Sequence, residues 1–324
     1  MERMSEALRL DAVLEPFAGK TWESSLGPVN YSALGEARNG TILLIPGLGM
    51  QRTEWSPELI AGLHAAGYAT LIADNRDCGL TNLSGTHAPP GGESGGESRG
   101  ESRGENGAAD GAGLIGYTLR DMAADLRELV VHLGLGPVHV AGMSMGGMIA
   151  QHLALLAPEL VRSLTSLMST TGSRAVGRPQ EESKWVFLTP APTENLAEYV
   201  DYAVRYHGAL AGPNFADVDR ARQLAVIAWE RGIRPDGTAR QLAAIQADGD
   251  RTERLAALRV PTLVVHGDAD PLIGVSGGTA TAAAIPGAKM HTIAGMGHSI
   301  PWQCAGELTE RLVAHLGAAD RTAT

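Results

Sequence analysis

Val138-His139-Val140-Ala141-Gly142-Met143-Ser144-Met145-Gly146-Gly147-Met148-Ile149 is the stretch that decides the fold. Val138 to Ala141 predicts a short strand, and Met145 to Leu156, rich in alanine and leucine and stopped by Pro158, predicts a helix. Between them lies Gly-x-Ser-x-Gly. The pattern alone is common by chance in a chain with 41 glycines. A strand running straight in and a helix running straight out is more specific, because it holds a serine on a strained turn at the edge of a sheet. Gly142 and Gly146 leave room for strand and helix to pack closely. Free N–H groups at the helix start favour negative charge developing beside the serine. Ser144 is the candidate nucleophile.

Outward from this point, short β-rich runs alternate with helical patterns. Thr41–Ile45 precedes a helix-like stretch over 53–66, and Tyr68–Ala73 is the next strand. Leu119, Met122, Leu126, Leu129, Val130 and Leu133 recur at helical spacing within 118–133. Leu164–Met168, Thr262–Val265 and Lys289–Ile293 are further strands. Such alternation predicts an α/β fold, with a mostly parallel twisted sheet covered by helices on both faces. Residues 172–250 look helical throughout and interrupt the alternation, so they are expected to form an inserted helical cap on a core of 1–171 and 251–324. Residues 89–113 carry the near-repeat GGES-GGES-RGES-RGEN and little apolar side chain to bury. They are expected to be a flexible surface loop within the core.

A nucleophilic serine needs a base, and ten histidines compete. His64, His132, His152 and His315 fall within helical patterns, and His266 ends a strand, where a structural hydrogen bond suffices. His298 lies in Ala294-Gly295-Met296-Gly297-His298-Ser299-Ile300-Pro301, a loop after the last strand and before a last helix. That is where the order Ser…Asp…His places the base, and Gly295 and Gly297 would let it swing toward the serine. The acid should end a strand between the two. The Leu164–Met168 strand is followed by no carboxylate, whereas Thr262–Val265 runs into His266-Gly267-Asp268-Ala269-Asp270-Pro271, which offers Asp268 and Asp270. One oxyanion donor should be the backbone N–H of Met145. The other should come from Pro46-Gly47-Leu48-Gly49-Met50, and Leu48, flanked by glycines that let the backbone turn inward, is assigned to it.

With these residues in place the chain resembles the α/β-hydrolase superfamily over nearly its whole length. The matching segments are the Pro46-Gly47 loop, Asp74–Thr81, Gly142–Gly147, Val260–Pro271 and Gly295–His298. Ser-Met-Gly-Gly and Gly-Met-Gly-His-Ser-Ile-Pro are most similar to bacterial esterases of the anthracycline (aclacinomycin) methyl esterase type. The resemblance and the residue order together favour Asp270 as the acid, leaving Asp268 as a turn residue bonded to its own backbone. The family loop matching 74–81 usually carries glycine and serine where this chain has Asp77 and Thr81, and it is read as scaffold, with Arg76 structural.

The resemblance implies hydrolysis of carboxylic esters with no metal or organic cofactor; small, mainly apolar substrates are expected from the aromatic residues of 172–250. A perhydrolase or haloperoxidase, or a non-hydrolytic biosynthetic enzyme, would use the same three residues. A ligand-binding protein of the same fold is the alternative from another class. Half of the 14 aromatic residues fall in 172–250, and Tyr199, Tyr202 and Tyr206 share a helical face. They form either a core for the cap or the wall of an apolar pocket. Met143, Trp185 and Met296 are the candidate substrate contacts.

Composition narrows the partners. Asp and Glu outnumber Lys and Arg by 36 to 26, and a net charge of −10 disfavours nucleic acid and anionic membrane surfaces. Charges interrupt every apolar stretch of the N-terminus and no segment is long enough to span a membrane, so a cytoplasmic location is expected. Cys78 and Cys304, the only cysteines, are expected to be reduced there.

Overall fold

The computed structural model describes residues 19–83 and 116–322; the expected loop at 89–113 lies outside them. In chain order the described strands and helices are β1 (Lys20–Ser24), β2 (Gly27–Leu34), β3 (Thr41–Ile45), α1 (Pro57–Ala65), β4 (Ala69–Ala73), α2 (Leu119–His132), β5 (Val138–Met143) and α3 (Met145–Leu156). There follow β6 (Val161–Leu167), α4 (Trp185–Leu188), α5 (Leu196–Leu210), α6 (Val218–Arg231), α7 (Pro235–Asp248), α8 (Thr252–Leu255), β7 (Thr262–Gly267), α9 (Ser276–Ala284), β8 (Lys289–Ile293) and α10 (Trp302–Thr322).

The strands form one sheet in the order β1-β2-β4-β3-β5-β6-β7-β8. From β4 to β8 every neighbouring pair is parallel, and β2 and β1 extend the edge antiparallel. The order reverses between β3 and β5, since the chain moves from β3 to β4 on one side and then crosses to β5 on the other. Their carboxyl ends therefore open a crevice at a topological switch point. The Pro46–Met50 loop and Ser144 leave the sheet at this crevice.

Alternation along the central strands builds the core. On β3, Leu43 and Ile45 face one layer with Leu126 and Leu129 of α2 and Ile149 and Leu153 of α3. Ile42 and Leu44 face the other, with Leu59 and Leu63 of α1 and Leu308, Leu312 and Leu316 of α10. Burying each such side chain contributes about 1.5–3 kcal/mol before entropy is counted.

The β1–β2 hairpin was not expected from the sequence. Asn30 and Ser32 of β2 are buried polar residues, and the Arg52 guanidinium satisfies both, donating to Asn30 Oδ1 (2.8 Å) and Ser32 Oγ (2.5 Å). Hydropathy cannot register a strand whose buried side chains are held by hydrogen bonds rather than by apolar contact. Arg76 is structural in the same sense: its guanidinium grips both carboxylate oxygens of Asp125 on α2, at 2.9 and 2.7 Å.

Helices α4 to α7 leave the sheet after β6 and return before β7 as a helical insert, whose Val186 and Leu210, backed by Trp185, Phe187 and Tyr206, pack with Leu272 from the loop after β7. Among the described residues no helix is long and apolar enough to cross a membrane.

Candidate active site

Ser144 stands between β5 and α3 with φ 54° and ψ −121°, in a region that non-glycine residues seldom occupy. The surroundings hold it there. The Ser144 N–H donates to Leu167 O (2.9 Å), and Ser169 Oγ donates to Ser144 O (2.7 Å). A Cβ on Gly142 would strike the backbone of Gly146, and one on Gly146 would strike the carbonyls of Ile45 and Pro46. Side chains at either position would force strand, turn and helix apart.

The structure brings Ser144, His298 and Asp270 into one chain of hydrogen bonds. His298 Nε2 lies 2.8 Å from Ser144 Oγ, and His298 Nδ1 lies 2.7 Å from Asp270 Oδ2. The acceptor-only carboxylate accepts a hydrogen bond from Nδ1–H and so keeps the proton on that nitrogen, which leaves Nε2 free to accept from the serine hydroxyl. Asp270 is buried. Burial alone would push its carboxyl up, but the charge on His298 and hydrogen bonds from His266, His298 and the Ile273 amide hold it well below the usual carboxylate range.

Two sequence expectations need correction here. Asp268 does not bond to its own turn: its Oδ1 accepts the Gly295 N–H at 2.6 Å, tying the β7 turn to the loop that carries His298. The turn bonding belongs to Asp270, whose Oδ1 accepts the N–H groups of Leu272 and Ile273, both at 2.9 Å. Gly297 is not a swivel for the histidine. The Gly297 and His298 amides donate to Ala211 O (3.2 Å) and Leu210 O (2.6 Å) at the end of α5. A Cβ on Gly297 would collide with that same backbone, so the glycine admits the insert. His266 makes the structural hydrogen bond expected of it, donating from Nε2 to Ile273 O at 2.7 Å.

The Met145 amide opens α3 and, as a first-turn N–H, has no acceptor within its own helix. Leu48 lies across the crevice on the loop after β3, which is pinned on both sides. Asn75 Nδ2 donates to Pro46 O (2.9 Å), and the Gly49 N–H donates to Gln241 Oε1 of α7 (2.8 Å).

Above Ser144 and His298 opens a cavity of about 270 Å³, mostly apolar, whose wall includes Leu48, Met143, Met168, Phe187, Phe215, Leu224 and Ile273. A second chamber of about 310 Å³ adjoins it and shares Leu48, Met50, Glu54, Val186, Phe187, Tyr206 and His207. Tyr199 and Tyr202 line the second chamber, with Tyr199, Tyr202 and Tyr206 stacked in turn at centroid spacings of 6.4 and 6.0 Å. The two alternatives for these tyrosines thus merge, since one stack is both packing and wall.

Of the three candidate substrate contacts only Met143 reaches the cavity. Met296 is fully buried in the layer between β7 and α10, because the loop before His298 folds inward under Gly267. Trp185 packs edge-on against Tyr202 and Tyr206 and under Arg205, 4.0 Å from its ring centroid, behind the wall rather than in it. Among the described residues no group of three or more His, Cys, Asp or Glu is placed to hold a metal ion.

Sequence reading missed Glu54 and His207, which line both chambers. Nothing in Arg52-Thr53-Glu54-Trp55 marks a cavity residue, since the short 3₁₀ turn at Arg52–Glu54 alone aims it inward. Burial depresses the His207 imidazole to about 4. Burial pushes the Glu54 carboxyl up to about 7; the Gln51 N–H opposes this, nearby Asp74 adds to it and Arg231 subtracts. A carboxyl raised from about 4.5 supports the fold fully in its neutral form, and that support is lost as pH climbs through about 7. Glu54→Gln is therefore expected to gain stability over the wild type between pH 5 and pH 8. The gain should be about 2 kcal/mol, discounted because part of the side chain faces the cavity. Denaturant unfolding at the two pH values measures it, and an unchanged difference would refute the buried-carboxyl account.

A family model described as alpha/beta hydrolase fold matches residues 40–304. The chain is 25% identical over 307 residues to rhodomycin D methylesterase DnrP of Streptomyces peucetius, covering 88% of this chain and 94% of that protein. It is 28% identical over 195 residues to a non-heme haloperoxidase of Rhodococcus erythropolis, covering 57% of this chain and 69% of that one. The crystal structure of a hydrolase from Pseudomonas aeruginosa PA01 superposes with a TM-score of 0.66 at 22% identity, covering 93% and 98% of the two chains. That last likeness speaks for the fold alone.

Proposed function

Because the chain belongs to the alpha/beta hydrolase fold family, we propose that it is a serine esterase that cleaves apolar carboxylic esters through an acyl-enzyme. The observation that carries this reading is the unbroken relay from Ser144 Oγ through His298 to Asp270, at 2.8 and 2.7 Å, under an apolar cavity. His298 Nε2 takes the hydroxyl proton as Ser144 Oγ bonds to the ester carbonyl carbon. The Met145 and Leu48 amides receive the resulting oxyanion, each donor being worth roughly 3–4 kcal/mol in the transition state. The C–O bond to the alcohol then breaks, and His298 returns the proton to the leaving oxygen. Water, deprotonated by the same imidazole, attacks the acyl-enzyme and releases the acid. Asp270 keeps Nδ1 protonated throughout and stabilises the imidazolium.

The helical insert is read as a cap that supplies most of the cavity roof. A relative named for methyl ester cleavage and two adjoining chambers together support methyl or other small-alkyl esters of a bulky apolar acid. The free, buried Cys78 and Cys304 fit a reducing, cytoplasmic setting. The relative named as a haloperoxidase favours a second reading, in which peroxide replaces water on the same acyl-enzyme.

Across p-nitrophenyl acetate, butyrate, hexanoate and octanoate, kcat/KM is expected to rise until the first chamber fills. Each buried methylene contributes up to about 0.8 kcal/mol, roughly fourfold. A steady fall from acetate would reject the apolar pocket, and no turnover of any ester would reject the esterase. Bromination of a dione with peroxide and bromide, exceeding ester turnover, would favour the second reading.

A further inference from the structure

The loop that offers Leu48 to the oxyanion is held by a residue of the insert, Gln241 on α7. Gln241 is fully buried at 0% exposure, and both ends of its amide are engaged across the crevice. Oε1 accepts the Gly49 N–H at 2.8 Å, and Nε2 donates to Arg76 O at 2.6 Å. Arg76 is itself clamped by Asp125 of α2, so Gln241 connects the loop to a fixed point in the segment that follows β4. Thr238, one turn earlier on α7, lies against Gly49 closely enough that a Cβ there would meet its Oγ1 at 2.9 Å.

Gly49 adopts φ +66°, and a loop with glycines on both sides of Leu48 has many other conformations open to it. An oxyanion donor is effective only when it is aimed before charge develops, since reorientation during the reaction forfeits the gain. The Gly49 N–H belongs to the peptide that Leu48 begins, so anchoring it fixes the Leu48 backbone. A buried glutamine spanning two backbone groups, with neither end left over, is an expensive arrangement unless the groups it orders matter.

We propose that Gln241 is a positioning residue of the oxyanion loop, so that the insert completes the catalytic machinery as well as covering the substrate. This rests on the esterase reading. The hydrogen bond acts on transition-state stabilisation and leaves ground-state binding of the ester alone.

The test uses the full chain with p-nitrophenyl butyrate as substrate and butylboronic acid as a probe whose serine adduct places an oxygen at the oxyanion position. Gln241→Leu is expected to lower kcat roughly 10- to 100-fold, with KM within about threefold. The boronate Ki should rise in step with the fall in kcat/KM. Gly49 amide exchange should accelerate in the same variant. A folded variant that keeps kcat within about threefold, or that loses KM as much as kcat with the boronate unaffected, overturns the proposal. Where leucine at this position fails to fold, Gln241→Met, closer in length and flexible, carries the same measurements and criteria. Absence of ester turnover in the wild type would instead reject the esterase reading. In that case faster Gly49 exchange in the variant still upholds the tether, and unchanged exchange overturns it.

Discussion

Ser144→Ala is expected to lower kcat/KM for p-nitrophenyl butyrate by roughly 10⁴-fold or more while the fold stays intact. In the proposed mechanism the hydroxyl is the group that bonds to the carbonyl carbon. Without it, the proposed oxyanion donors, the Leu48 and Met145 amides, would still polarise a bound ester, so a residual rate over water is expected. The cost to stability should be about 1 kcal/mol, because one hydrogen bond to His298 is lost. His298 keeps its contact with Asp270, so the loop has no reason to move. The unusual φ of 54° is retained by alanine, which has the same Cβ as serine. Steady-state kinetics beside thermal unfolding checks both halves. A folded variant with a tenth of wild-type turnover would remove Ser144 from the chemistry.

Asp270→Asn should be nearly as severe, with kcat falling by roughly 10⁴-fold. The neutral amide can still accept from the Leu272 and Ile273 amides, so the turn should form. Facing His298 Nδ1, however, it presents either an NH₂ group or an uncharged oxygen. The first favours the tautomer whose Nε2 already carries a proton and cannot accept one from Ser144, and the second no longer stabilises an imidazolium. Asp268→Asn makes the discriminating control. Its Oδ1 holds only the Gly295 N–H, and an amide oxygen can do that at modest cost, so kcat should fall by no more than about tenfold. The opposite ranking of the two variants would transfer the acid role to Asp268.

Where side-chain chemistry and chain order dictate the structure, the sequence was legible. Met145 to Leu156 is apolar, small and free of breakers until Pro158, and α3 runs over those residues. Lys289 to Ile293 likewise coincides with β8. Ser144, Asp270 and His298 could be nominated because each closes a strand or follows one, and a parallel sheet gathers such ends on one edge. The failures have different causes. Asp268 and Asp270 differ by two positions on one turn, and only the folded structure shows which N–H group each carboxylate oxygen reaches. Met296 flanks the loop that carries His298 and would offer deformable apolar surface there, but the loop turns it into the core. Glu54 and Gln241 are polar residues in ordinary-looking contexts: a short 3₁₀ turn aims the first into the cavity, and the docking of the insert brings the second to Gly49, neither of which a hydropathy pattern encodes.

The docking itself constrains how this molecule could change. Carbonyls at the end of α5 hold the amides of Gly297 and His298, and Gln241 of α7 holds that of Gly49. The insert is therefore not an interchangeable module that could be traded for a relative's to acquire a new substrate. A transplanted segment would need the same carbonyls and the same amide at the same points, or it would bring new selectivity into a slower enzyme. Gradual substitution along the cavity-facing sides of α5 and α6, leaving those anchor points alone, is the route by which selectivity can diverge at undiminished rate.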